Sequence, residues 1–375
     1  MKIAVPVETA ERETRVALVP ETVQRLVRDG HSVEIAAGAG AEAGFSDEAF
    51  VEAGATIASG LEDLLSGASI VVKVNPPTDE EIALIPEGAI AAGQFQVLSH
   101  SDLTAKLASK NVTTISMELI PRIARAQRLD VLSSQASLAG YKSVLIAANS
   151  IGRFFPLMMT AAGTIPPATV LVLGAGVAGL QAIATAKRLG AKVQAYDVRS
   201  AVREQIESLG GTFIEFESEE DLEDAGGYAK EQSADEQARQ LELLADYIAK
   251  ADVVITTAQI PGRPAPQLIN ASAVARMRPG SVIVDLAAPS GGNCELSTPG
   301  AASTHYGVEI HAPLNVPALM PTEASVLYSR NLQGLIELVS DEDGAMKVDF
   351  DDEVIAGATV THGGQLVGQA ANGGQ

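Results

Sequence analysis

Three glycines at G-x-G-x-x-G spacing, Gly174, Gly176 and Gly179, stand 18 residues before the acid Asp197. In such a set the first glycine permits a tight turn and the second lets the backbone approach a pyrophosphate. The third brings a helix close to a strand. The unpaired N–H groups at the start of that helix attract an anion. An acid placed like Asp197 accepts hydrogen bonds from ribose hydroxyls, and its charge opposes a 2′-phosphate. The pattern points to a dinucleotide site that takes NAD(H) in preference to NADP(H).

The elements needed to position these residues follow in order. Residues 170–173 form a short apolar run, rich in β-branched side chains, as a buried parallel strand requires. Residues 180–189 read as a helix closed by Gly190 at the C′ position, and 192–196 alternate as a strand that delivers Asp197.

A second polar stretch runs from 121 to 143. Arg122, Arg125 and Arg128 precede Asp130, and a serine-rich run follows. Two readings stand: a polar loop leading into a helix that joins two domains, or a loop whose hydrogen-bonding groups face a ligand.

Composition limits the alternatives. The chain has 375 residues, 46% hydrophobic and 19% charged, which suits two folded domains with sizeable cores. With 26 basic and 47 acidic residues its net charge is −21, so no nucleic-acid partner is expected, and no basic patch for anionic lipid. Cys294 is the single cysteine, and His31, His100, His305, His311 and His362 lack ligand spacing, so no metal site is expected. The start, Met1-Lys-Ile-Ala-Val-Pro, reads directly as a strand with no leader pattern. Residues 154–186 carry no charge over 33 positions. The prolines and fingerprint glycines interrupt them, so they read as buried domain core rather than a membrane span.

Strands are expected at 2–6, 32–35, 69–74, 89–92 and 112–116, with helices at 21–28, from Ser46, and at 103–110. After Asp197, Ser200 is expected to cap a helix through 209. Strands follow at 212–216, 252–256, 281–285 and 308–311, and helices at 240–249 and 324–339. One more strand-like run lies at 358–361. The acidic run 217–224 reads as a solvated loop, and 225–230 as a glycine-rich flap or a plain surface turn. Strands alternating with helices imply an α/β fold with mostly parallel sheets.

Taken together, the motifs resemble the nucleotide-binding alpha subunit of proton-translocating NAD(P) transhydrogenase, a family related to alanine dehydrogenase. The resemblance extends from Arg15-Val-Ala-Leu-Val-Pro to Gly364. It is densest at Met117-Glu-Leu-Ile-Pro-Arg-Ile-Ala-Arg-Ala-Gln, Met158-Met-Thr-Ala-Ala-Gly-Thr-Ile-Pro-Pro-Ala, Ala225-Gly-Gly-Tyr-Ala-Lys-Glu and Gly291-Gly-Asn-Cys, and through the fingerprint helix that starts at Gly176. It implies two Rossmann-like parallel-sheet α/β domains. The first is discontinuous (1–140 plus 320–375), the second is the NAD(H)-binding domain (141–319), and the nucleotide lies in the cleft between them. It further implies that Arg122, Gln127 and Asp130, with Ser133 beside them, sit over the nicotinamide, and that Gly227 and Tyr228 belong to a closing flap. Other NAD(H) contacts would fall on Val177, Val198, Arg199, Gln240 and Gln259.

The reaction implied is direct hydride transfer between NADH and NADP+ held on a partner subunit, coupled to proton movement. The implied assembly is a homodimer with an NADP(H)-binding subunit and a membrane-spanning subunit, peripheral on the cytoplasmic membrane face. The competing resemblance is to a soluble alanine dehydrogenase. Arg15 and Lys73 stand where its carboxylate clamp would be, but Gln94 and Pro289 replace its proton-shuttling histidine and its acid. Neither replacement exchanges a proton at neutral pH.

Overall fold

The computed structural model describes residues 1–97, 100–215, 234–260 and 263–368 (for 234–238 the backbone alone). The chain forms two α/β units, one of residues 1–135 and 318–375, the other of residues 136–317.

In the first unit, β1 (Lys2–Val5), β2 (Ser32–Ala36), β3 (Thr56–Ala58), β4 (Ile70–Val72), β5 (Ile90–Gly93) and β6 (Thr113–Ser116) build a parallel sheet in the order β3-β2-β1-β4-β5-β6. Ile3 of β1 lies opposite both Val33 and Ile70. Strands β4, β5 and β6 are buried at every position, as a sheet covered on both faces demands. Helix Pro20–Arg28 starts with Pro20 and closes with Arg25 and Arg28 in its last turn, in keeping with the helix dipole. Ser46 caps helix Asp47–Glu52, as expected, by accepting from the N–H of Ala49. Strand β3 and helices Leu61–Leu65 and Asp79–Leu84 are not expected from the sequence; they are too short to show a clear period.

The second unit opens with a hairpin of β7 (Met158–Thr160) and β8 (Gly163–Ile165). This corrects the reading of the charge-free run as buried throughout. Its first part is exposed, with Met159 79%, Leu157 55% and Phe154 50% accessible. Burial begins at β9 (Thr169–Leu173), whose last four residues are enclosed. Helix Val177–Arg188 starts three residues earlier than expected and ends at Gly190 (φ +88°). There the N–H of Gly190 bonds the carbonyl of Lys187, and that of Ala191 the carbonyl of Ala186.

The chain continues through β10 (Lys192–Tyr196), β11 (Thr212–Phe213), β12 (Val253–Thr256), β13 (Val282–Asp285), β14 (Ala302–His305) and β15 (Val308–His311). The order is β11-β10-β9-β12-β13-β15-β14, parallel except for the edge strand β14, which no sequence pattern announces. Without β14 this is the doubly wound 3-2-1-4-5-6 order, reversing between β9 and β12. Ser200 does not cap a helix. Residues Ser200–Val202 form a 3-10 turn, and helix Arg203–Ser208 follows without a side-chain cap. The strand expected at 212–216 is shorter, pairing only at Thr212 and Phe213.

The last segment returns to the first unit. The side chains of Ser325 and Ser329 on helix Pro321–Leu338 accept from the backbone N–H groups of Val16 and Val19, and the Tyr328 hydroxyl donates to the carbonyl of Lys73. Tyr328, Leu332, Leu335 and Ile336 are fully buried beside Ile3, Leu18 and Leu26. Fully burying a large aliphatic side chain stabilises by about 1.5–3 kcal/mol. β16 (Thr359–His362) then pairs antiparallel with β6, and β17 (Gln365–Leu366) with β16. Among the described residues no helix is long and apolar enough to cross a membrane.

Candidate functional site

The three fingerprint glycines occupy three different environments at the β9–helix turn. Gly174 has φ +95°, and a Cβ there would lie 2.7 Å from Thr257 Oγ1 on the loop after β12. A Cβ on Gly179 would lie 1.9 Å from the carbonyl oxygen of Gly174, so helix and turn are in direct contact. A Cβ on Gly176 would meet nothing within 4 Å. Gly176 is the N-cap of helix Val177–Arg188, no side chain caps that end, and Val177 beside it is 39% exposed. The open space at Gly176 and the uncapped helix start fit a pyrophosphate.

Asp197, just past β10, is bound to that turn. Its Oδ2 accepts from the N–H of Ala175 at 2.7 Å and from Arg199 Nη2 at 3.0 Å. Its Oδ1 accepts from the N–H and the Nε of Arg199, both at 2.9 Å. Val198 between them is half-buried. Gln240 is buried on helix Ala234–Lys250, whereas Gln259 is exposed and donates from Nε2 to the carbonyl of Leu286 at 3.0 Å.

The loops after β12 and β13 are joined through residues that the sequence analysis did not single out. Asp285, fully buried at the end of β13, accepts from Thr256 Oγ1, from the N–H groups of Ala287, Asn293 and Cys294, and from Ser297 Oγ. Asn293 accepts from the N–H of Ala258 and donates to the carbonyls of Ala258 and Pro266. A buried strand ending in an acid, followed by Gly-Gly-Asn, is the available signal. Asp285 and Asn293 hold the β12 loop, with Thr257 and Gln259, at the switch point where open α/β sheets bind ligands.

In the first unit, Gln127 lies exposed on the 3-10 segment Ala124–Leu129, and Arg122 is exposed just before it. Ala126 and Leu129 are buried and anchor the segment from below. Arg125 and Arg128 flank Gln127. Arg125 pairs in a fork with Asp352 at 2.8 and 2.9 Å, and Arg128 pairs with Glu337 at 2.7 Å. Asn331 Nδ2 donates to the carbonyl of Arg128 at 2.7 Å. Asp130 stands at the start of helix Val131–Ser150, where its carboxylate accepts from the N–H and the hydroxyl of Ser133. Gly227 and Tyr228 lie outside the described residues.

The structure therefore brings Gly174, Gly176, Val177, Gly179, Asp197 and Arg199 together in one unit, and Gln127, Asp130 and Ser133 together in the other. Comparison with known proteins gives the same division. Residues 4–139 match the family description "Alanine dehydrogenase/PNT, N-terminal domain", and residues 143–369 its C-terminal domain. The chain belongs to the alanine dehydrogenase/PNT family.

Within this family it is 47% identical to an NAD(P) transhydrogenase subunit alpha protein of Rhodospirillum rubrum, over all of this chain and 99% of that protein. The crystal structure of transhydrogenase from Sinorhizobium meliloti superimposes with a TM-score of 0.86 at 40% identity, covering 99% of this chain and all of that one. An L-alanine dehydrogenase structure matches with a TM-score of 0.80 at 27% identity, covering 99% and 98%.

The alanine dehydrogenase side of the family directs attention to Arg15 and Lys73. Arg15 donates from Nε and Nη2 to Glu13, both at 2.7 Å, and from Nη1 to Gln135 at 2.9 Å. Lys73, 1% exposed, donates to Glu81 at 2.7 Å and lies 4.0 Å from Glu8. Burial pushes the Glu8 carboxyl above its ordinary range despite Lys73. Burial acts the same way on Glu13, but the bonds from Arg15 outweigh it and hold that carboxyl low. Both cations thus sit in a closed network with Glu8, Glu13 and Glu81, where an incoming carboxylate would compete for them. Gln94 follows β5, and Pro289 sits in the 3-10 turn Ala288–Ser290; neither supplies a proton.

Proposed function

We propose that this chain is the NAD(H)-binding subunit of a proton-translocating NAD(P) transhydrogenase, passing hydride directly between NADH and NADP+ held on a partner subunit. The observation that carries this reading is the 47% identity to a transhydrogenase alpha subunit along both chains' whole lengths, against 27% to the alanine dehydrogenase structure.

Bound NAD(H) supplies the hydride, and the chain supplies position. The open face of Gly176 and the start of the following helix receive the pyrophosphate, with Gly174 and Gly179 shaping the turn and Val177 against it. Asp197, with Val198 and Arg199, receives the adenosine ribose, and Gln240 and Gln259 add contacts. Arg122 and Asp130 orient the nicotinamide carboxamide, Ser133 steadies Asp130, and Gln127 reaches towards the partner's nicotinamide. Gly227 and Tyr228 close a flap that excludes water. Hydride passes between two carbons without a general acid, so holding the rings at reacting distance is the main catalytic contribution. Gln94 and Pro289 are what such chemistry permits and what alanine oxidation does not.

In this reading the chain is a homodimer, with Leu157, Met159 and Phe154 at the β7–β8 hairpin offering an apolar surface to a second copy. The NADP(H)-binding and membrane-spanning subunits complete the complex and hold it on the cytoplasmic face of the membrane.

The test uses the purified chain alone and then mixed with an NADP(H)-binding transhydrogenase domain. Reduction of an NAD analogue by NADPH is followed beside NAD-dependent oxidation of alanine. Transfer in the mixture only, with alanine inert, is the expected result. Alanine oxidation by the chain alone would establish the dehydrogenase instead.

A further inference from the structure

The Asp197 carboxylate is saturated. Its two oxygens receive four N–H groups, three of them from Arg199 and one from Ala175 inside the glycine turn. A carboxylate has about four acceptor positions, so ribose hydroxyls that reach Asp197 share it with an arginine. That arginine approaches as a fork, with Nε on one oxygen and Nη2 on the other. Neither partner is well solvated: the side chains of Arg199 and Asp197 are 17% and 6% exposed. The arrangement ties the fork to the turn that faces the pyrophosphate, on the side where a Rossmann strand presents its acid to the adenosine ribose.

We propose that Arg199 is a latent receptor for a 2′-phosphate, and that the Asp197–Arg199 pair, rather than Asp197 alone, decides which dinucleotide this unit accepts. The guanidinium fork fits a phosphate as well as a carboxylate, because both present two oxygens in one plane to parallel N–H donors. While Asp197 is in place it fills the fork and cancels its charge, so an arriving 2′-phosphate meets acceptor oxygens and negative charge. With the carboxylate removed, the same guanidinium is left in a poorly hydrated position without that counter-ion, facing the ribose. The acid therefore does two things at once: it repels the phosphate and occupies the group that would bind it. Such a device suits a chain whose reaction needs NADP(H) confined to another subunit, since an NAD(H) site that also took NADPH would compete with that subunit for its nucleotide.

This inference rests on the dinucleotide reading above, and the experiment separates the two. NADH and NADPH are titrated into the purified chain by nicotinamide fluorescence, with thermal melts alongside. The proteins are the natural sequence, Asp197→Ser, Asp197→Asn, Arg199→Ala and the double variant Asp197→Ser/Arg199→Ala. The natural chain is expected to favour NADH, and Arg199→Ala to keep excluding NADPH. Asp197→Ser is expected to weaken NADH and to tighten NADPH by about tenfold or more, the worth of a charge-assisted hydrogen bond. The double variant loses that gain, and added salt weakens it. Asp197→Asn keeps the shape of the carboxylate and an acceptor for Ala175. It is expected to move the NADH/NADPH ratio in the same direction by less, and it serves as the test if Asp197→Ser does not fold. A folded variant with no gain in NADPH binding, or an equal gain without Arg199, overturns the proposal. A natural chain that binds neither dinucleotide overturns the dinucleotide reading and the role of the pair with it.

Discussion

Asp130 holds Ser133 twice: its Oδ1 accepts from the Ser133 N–H at 2.9 Å and its Oδ2 from the Ser133 hydroxyl at 2.6 Å. The pair is a helix cap built from two residues assigned to the nicotinamide, so stability and chemistry can be separated there. Asp130→Ala removes the cap and is expected to cost about 1 kcal/mol. Asp130→Ser restores a capping oxygen and with it the melting temperature, but transhydrogenation in the assembled complex stays low. Full recovery of both would reduce Asp130 to a cap.

The fingerprint glycines are expected to respond in opposite ways. Gly179→Ala places a Cβ 1.9 Å from the backbone oxygen of Gly174, so helix and turn must separate. The expected loss is about 3 kcal/mol, seen as an earlier denaturant midpoint. Gly176→Ala points into open space at an ordinary φ of −71°. It is expected to melt with the natural protein while losing NADH affinity. A Gly176→Ala variant that binds NADH normally would remove the pyrophosphate from that place.

Asp285 is a structural keystone. Asp285→Ala leaves the N–H groups of Ala287, Asn293 and Cys294 without their acceptor in a buried site. At about 1–3 kcal/mol for each unpaired buried group, the loss is expected to be about 3 kcal/mol or more, measurable by urea unfolding.

The Arg125–Asp352 pair carries a pH dependence. Hydrogen bonding from Arg125 holds the Asp352 carboxyl below its ordinary value of 3.8. A lowered carboxyl contributes stability above its unfolded value and loses it as pH falls through its folded one. Asp352→Asn keeps an oxygen to cap helix Glu353–Ala358 but gives up the charge. It is expected to melt below the natural protein at neutral pH, with the gap closing below about pH 3. A gap that persists there would exclude the ion pair as its cause.

Cys294 reports on folding. Burial pushes its thiol up to about 11, so at pH 8 roughly one molecule in a thousand carries the thiolate. A chromogenic disulfide reagent is expected to label the native protein slowly and the urea-unfolded chain at once. Fast native labelling would mean that the loop around Cys294 opens.

Legibility follows distance along the chain. Gly174, Gly176, Gly179 and Asp197 can be read because their geometry is set by the turn, helix and strand between them. Helix Val131–Ser150 is ambiguous in the sequence because its serines obscure the apolar period, although Asp130 and Ser133 lie three apart and suggest a cap. The hairpin at 158–165 passes for core because an apolar run does not show whether it is covered. The fork between Arg125 and Asp352 joins residues 227 apart, and no local pattern announces it.

Residue types and short spacings suffice for the α/β class, for the dinucleotide turn and for the missing acid–base pair at Gln94 and Pro289, because each of these is local. What each charge is bound to emerges only when the chain is folded: Arg199 on Asp197, Arg15 on Glu13, Lys73 on Glu81, Arg125 on Asp352. A charged side chain states what it can bind, but burial and the approach of distant segments select its partner, and that selection leaves one cation closed and another available to a ligand.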